Sequence, residues 1–90
     1  MQVYELVASS IERKKTARAV AEYLGVQPQE VSDWRAGRRT CPPDMRARMA
    51  KLCGMDPREE LAEAVAEGLS DTRRAGLLEA LHGGKMFHKL

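Results

Sequence analysis

Apolar residues return at helical spacing along almost the whole chain. Val3, Leu6, Val7 and Ile11 recur every three or four residues, which predicts an amphipathic helix from Val3 to about Lys14 with Tyr4 near its edge. A basic run comes next. Thr16 is placed to cap a second, short helix whose positions Ala17, Val20, Ala21 and Leu24 share one face, and Gly25 is placed to stop it. Pro28 suits the first turn of a third helix, where no backbone donor is needed, and Glu30 suits the positive end of that helix's dipole. Val31 and Trp34 supply its inward face before Gly37 closes it. The segment Arg38 to Pro43 reads as an extended basic connection. A fourth helix is predicted from Asp44 to Cys53, with Met45, Met49 and Leu52 inward and Gly54 as its stop. Pro57 opens a fifth, running to about Leu69 with Leu61, Val65 and Leu69 in register, and a sixth runs from about Asp71 to Leu81 with Leu77, Leu78 and Leu81. Gly83 and Gly84 uncouple the C-terminal end from the sixth helix, so residues 83–90 are expected to form a flexible tail or arm.

Composition narrows the fold class. Aromatic residues are 4% of the chain and the β-branched runs that build sheets are missing, which leaves an all-α fold of five or six helices. Ninety residues suit one domain, and at that size about 60 to 65% of the unfolded surface is buried. Within it, residues 1–56 read as the core and 57–82 as added C-terminal helices. No stretch approaches the roughly 18 apolar residues of a membrane span, and MQVYELVASSIERKK lacks the features of a signal peptide, so a cytoplasmic location is expected. Cys41 and Cys53 are then expected to be reduced thiols, at least partly buried.

The net charge of +2 conceals a strong asymmetry. Between Arg13 and Lys51 stand ten Lys/Arg against four Asp/Glu, a local charge of +6, while each flank carries −2. The middle of the chain is therefore the part suited to a polyanion.

Inside that basic stretch, TARAVAEYLGVQPQEVSDWRAG has the spacing of two short helices crossing through a tight turn. Ala21 is small where the helices touch, Gly25 takes a turn conformation that a β-carbon would strain, and Val20, Leu24, Val26, Val31 and Trp34 fill the space between them. From Val3 to about Leu61 these residues resemble the helix-turn-helix of the phage repressor and Cro family, with its λ-repressor-like domain. The continuation Trp34-Arg35-Ala36-Gly37-Arg38-Arg39, followed by proline and another helix, is similar to small phage and prophage regulators. The resemblance implies a compact λ-repressor-like domain that binds double-stranded operator DNA through its third helix and represses transcription. Two positions depart from the family pattern: Ala17 stands where a phosphate-binding glutamine is frequent, and Pro28 replaces a polar groove-facing residue. Base readout should accordingly be thin.

On this reading the outer face of the third helix carries Gln29, Ser32, Asp33 and Ala36, with Gln27 at its start. Gln29 is the candidate for a bidentate contact to adenine, Gln27 for a base edge or a phosphate, and Ser32 for a less informative base contact. Asp33 either accepts from cytosine N4 or pairs within the protein with Arg35 or another nearby base. Lys14, Lys15, Thr16 and Arg18 on one side of the motif, and Arg35, Arg38 and Arg39 on the other, are the candidate phosphate contacts. Arg46, Arg48 and Lys51 read first as a solvated face.

Other chemistries find little support. His82, His88, Cys41 and Cys53 lack the close pairs that preorganise a metal site, so no metal or cofactor is expected. No nucleophile–base arrangement or phosphate-cradling loop points to an enzyme or a small-molecule substrate. One recognition helix spans too few base pairs for specificity, so a homodimer on a palindromic site is expected. Leu61, Val65, Leu69, Leu77, Leu78 and Leu81 are the candidate dimer residues, with Glu59, Glu60, Glu63 and Glu67 keeping that end away from DNA. The competing arrangement packs both C-terminal helices back on the first four. A protein-interaction module on the same fold, antitoxin-like or anti-repressor, is the alternative function.

Overall fold

The computed structural model describes residues 2–82, and six helices account for most of them: α1 (Val3–Lys14), α2 (Ala17–Leu24), α3 (Pro28–Ala36), α4 (Pro43–Leu52), α5 (Pro57–Glu67) and α6 (Asp71–His82). The expected tail, 83–90, lies outside the described residues. Local chemistry explains the boundaries. Thr16 Oγ1 accepts from the Ala19 backbone N–H at 3.0 Å and caps α2. Gly25 and Gly37 end α2 and α3 with φ of 75° and 78°, and Lys15 ends α1 with φ of 85°, a conformation that costs a residue with a β-carbon.

Two boundaries differ from the sequence expectation. Helix α4 starts at Pro43, because Pro42 serves as its extended N-cap residue, and it ends at Leu52 with Cys53 as the C-cap residue. Helix α5 ends at Glu67, where the Gly68 N–H turns back to Val65 O at 3.2 Å, so Leu69 falls beyond the helix that was to carry it.

The core joins Leu6 and Val7 of α1, Val20, Ala21 and Leu24 of α2, Val31 and Trp34 of α3, Cys41, and Met49 and Ala50 of α4. Burying each of the larger side chains contributes about 1.5–3 kcal/mol. Helix α1 lies against α2, α3 and α4, α2 packs on α3, α5 docks mainly on α4, and α6 packs on α5. This sequential addition gives an elongated molecule of 48 × 25 × 19 Å. No described helix is long and apolar enough to cross a membrane. Both cysteines are free thiols; burial pushes that of Cys41 up to about 12, which makes it a poor nucleophile at neutral pH.

The α4–α5 junction overturns part of the charge reading. Arg46 is only 3% exposed, and Met45 and Leu52, expected inward, are half-buried. Arg46 donates from Nε to Glu60 Oε2 at 2.8 Å and from Nη1 and Nη2 to the two Glu67 carboxylate oxygens at 2.9 and 3.1 Å. Burial alone favours the neutral guanidine, and the bonds to Glu67 and Glu60 outweigh it, raising the arginine above its ordinary value. Glu60 is itself buried, so Arg46 is no solvated cation and Glu60 no solvent-facing acid. Their helices meet at a paired charge cluster whose partners lie fourteen and twenty-one residues apart, beyond the reach of a helical periodicity.

Candidate nucleic-acid interface

The turn between α2 and α3 is held from several sides. Gly25 donates to Ala21 O at 2.8 Å and Val26 to the same oxygen at 3.0 Å, which reverses the chain within two residues. No atom lies within 4 Å of a β-carbon built on Gly25, so the glycine is required by its φ and not by crowding. Glu30 accepts the Gln27 backbone N–H at 2.9 Å and satisfies a first-turn donor of α3. Arg48, expected to be merely solvated, reaches across from α4 and donates to Leu24 O at 3.0 Å and Tyr23 O at 2.7 Å. Those carbonyls are the orphan acceptors of the α2 C-terminus. The Tyr23 ring lies 5.0 Å from Lys14 Nζ and 5.3 Å from the Arg48 guanidinium carbon, within cation–π range of both. Sequence spacing within one helix carries no signal for either contact.

Helix α3 is sharply two-sided. Val31 and Trp34 are buried, whereas Gln27, Pro28, Gln29, Ser32, Arg35 and Ala36 are exposed. Asp33 differs from these neighbours in being buried, at 8% exposure. Its Oδ1 accepts from Gln29 Nε2 and from Arg38 Nε, each at 2.9 Å, and its Oδ2 lies 3.6 Å from Arg39 Nε. Arg39 also approaches Glu30 at 3.8 Å. The hydrogen bond from Arg38, then that from Gln29, holds the Asp33 carboxyl below the usual carboxylate range. The backbone makes this meeting possible. Gly37 in the left-handed conformation folds the chain so that the Arg38 N–H reaches Asp33 O at 2.9 Å, which brings the Arg38 side chain back over Asp33. Of the two partners foreseen for Asp33, the structure selects a neighbouring base beyond the helix end and not Arg35.

Four of the candidate residues, Gln29, Asp33, Arg38 and Arg39, thus form one cluster, with the arginine side chains still 59% and 56% exposed. Ser32 and Arg35 stand exposed beside it on α3. Lys14, Lys15, Thr16 and Arg18 are exposed around the α1–α2 junction, a second basic locus carried by different helices. Of the candidate dimer residues, Leu61, Val65 and Leu81 are exposed, and Leu69, Leu77 and Leu78 are half-buried.

No curated protein and no solved structure matches the chain. Residues 11–64, from the end of α1 through the α2–turn–α3 unit and into α5, match the helix-turn-helix domain family. With α2 and α3 crossing at Gly25 and a polar, exposed outer face on α3, the chain belongs to the helix-turn-helix domain family, a membership that points to a DNA-binding regulator.

Proposed function

We propose that this protein is a sequence-specific transcriptional regulator of the phage or prophage Cro and repressor type, binding palindromic operator DNA as a homodimer in the bacterial cytoplasm. The observation that carries the reading is the division of α3: apolar Val31 and Trp34 inside, and Gln29 and Ser32 outside beside the exposed guanidinium groups of Arg35, Arg38 and Arg39. An α-helix with polar side chains outward fits the major groove, and amides and guanidinium groups are the side chains that pair with base edges and phosphates there. Gln27, Gln29 and Ser32 face the bases on this reading. Lys14, Lys15, Thr16, Arg18, Arg35, Arg38 and Arg39 hold the backbone. Exposed Leu61, Val65 and Leu81 supply the apolar surface for a second copy, so that two recognition helices reach successive turns of one groove.

The test is fluorescence-anisotropy titration of DNA from upstream of the protein's own gene against a scrambled duplex, over a salt series, for wild type and Gln29→Ala. Selective binding that weakens steeply with salt and loses selectivity in Gln29→Ala is the expected result. Absent binding, or equal weak binding to both duplexes, overturns the regulator reading in favour of a protein-interaction module.

A further inference from the structure

Asp33 sits on the outer side of α3, yet its side chain is 12% exposed and its carboxylate faces protein donors. Both Gln29 Nε2 and Arg38 Nε converge on the single oxygen Oδ1, each at 2.9 Å. A carboxylate only accepts hydrogen bonds, so its partner on Gln29 must be the amide nitrogen. That removes an ambiguity a free glutamine retains, because an unrestrained side-chain amide can turn either its oxygen or its nitrogen toward a base. Held by Asp33, Gln29 keeps a second N–H and the whole of Oε1 for an outside partner. One donor beside one acceptor is the complement of adenine, which offers N7 as acceptor and N6–H₂ as donor in the major groove. Guanine offers two acceptors there, N7 and O6, and would set O6 against Oε1. Arg38 is treated alike: with Nε engaged by Asp33, its terminal nitrogens remain as a fork of donors next to the oriented amide.

We propose that Asp33 is a positioning residue, making no base contact of its own but locking the Gln29 amide in the one orientation that selects adenine, with Arg38 fastened beside it. This rests on the reading of α3 as a recognition helix. It replaces the direct contact to cytosine that position 33 suggests in the sequence. Asp33 shapes specificity from behind the contact surface, and the adenine preference belongs to the Gln29–Asp33 pair.

The experiment is selection of a random duplex library by the full-length protein, followed by sequencing, for wild type, Gln29→Ala, Asp33→Ala, Asp33→Asn and the double variant Gln29→Ala/Asp33→Ala. In the wild type, the position whose preference disappears in Gln29→Ala is expected to be adenine, favoured about tenfold or more. Asp33→Ala is expected to level that same position and leave the others unchanged. The double variant should lose nothing further there, and Asp33→Asn, which keeps an acceptor oxygen, should restore part of the preference. Replacing the selected adenine by 7-deazaadenine should weaken wild type and leave Asp33→Ala unaffected, a difference that a purely structural role for Asp33 would not produce. Retained adenine preference in Asp33→Ala, loss at a different position, or uniform weakening across all positions overturns the proposal. A wild-type protein that enriches no sequence overturns the DNA reading itself, so the two failures are distinguishable.

Discussion

Gly25 and Lys15 both end their helices with positive φ, 75° and 85°, but only one of them is a glycine. For an L-residue this conformation costs roughly 1–2 kcal/mol. Gly25→Ala meets no atom within 4 Å, so its effect isolates that backbone preference. A loss of about 1 kcal/mol is expected, read as a melting temperature lower by roughly 4–8 °C. Lys15→Gly should move the other way, raising the melting temperature although it removes a side chain. An unchanged or lower melting temperature for Lys15→Gly would show that strain at the α1 end is not what limits this turn. Asp33 teaches a complementary point. Its position on the helix wheel is outward, and a glycine four residues later decides that it is covered, by returning Arg38 over it.

Between elements, the paired charges of Arg46, Glu60 and Glu67 bind α5 to α4. Removing one member of a buried pair leaves its partner uncompensated, and Arg46→Ala is expected to cost about 3–5 kcal/mol in chemical denaturation. Replacing Arg46 by Met and Glu60 by Leu together should cost far less, because no buried charge is then left alone. If the double variant is as unstable as Arg46→Ala, packing of the stems and not charge dominates the junction. Acidity tests the same contact. The hydrogen bond from Arg46 holds the Glu67 carboxyl below its ordinary value, as that from Arg38 does for Asp33. A carboxyl whose value is lowered by folding adds stability that is complete above the ordinary carboxylate range near pH 4. That stability is lost as pH falls through the lower folded value. The melting temperature should therefore be level between about pH 5 and 8 and fall below about pH 4. The fall should be shallower in Arg46→Met, and equal slopes in the two proteins would exclude the Glu67 contact as a source of it.

For the molecule as a whole, the exposed large apolar side chains other than Tyr4 lie on α5 and α6, C-terminal to the helices that carry the candidate phosphate contacts. Val65 and Leu61 are each 42% exposed and Leu81 51%, while the residues that α5 buries against the core are Glu60 and Ala66. Glu60 thus faces inward on α5, while Leu61 and Val65 stand outward among the exposed Arg58, Glu59, Glu63 and Glu67. If that surface joins two copies, Leu61→Glu combined with Val65→Glu should yield a monomer in sedimentation equilibrium and weaken operator binding at least tenfold, since each half-site is then bound alone. A variant that remains dimeric places the contact elsewhere. Phosphate contacts have a different signature: Arg39→Ala should lower affinity for all sequences alike and reduce the salt dependence by about one ion.

Much of this architecture is local, and local features are legible in residue order. The helix starts at Thr16 and Pro28 and the stops at Gly25 and Gly37 come from capping and backbone sterics, and Val20, Ala21, Val31 and Trp34 come from helical spacing. The basic middle and the polar face of α3 are legible in the same way, because a face is a periodicity. The pairings of Arg46 with Glu60 and Glu67 and of Arg48 with the α2 carbonyls are hidden there, and for Asp33 residue order offers a neighbouring base without saying that it is Arg38. Composition presents those arginines as interchangeable solvated cations. Which is buried, which caps a neighbouring helix and which fastens a side chain on α3 depends on where the helices cross, since a charge leaves water only when a partner from elsewhere in the chain is already waiting.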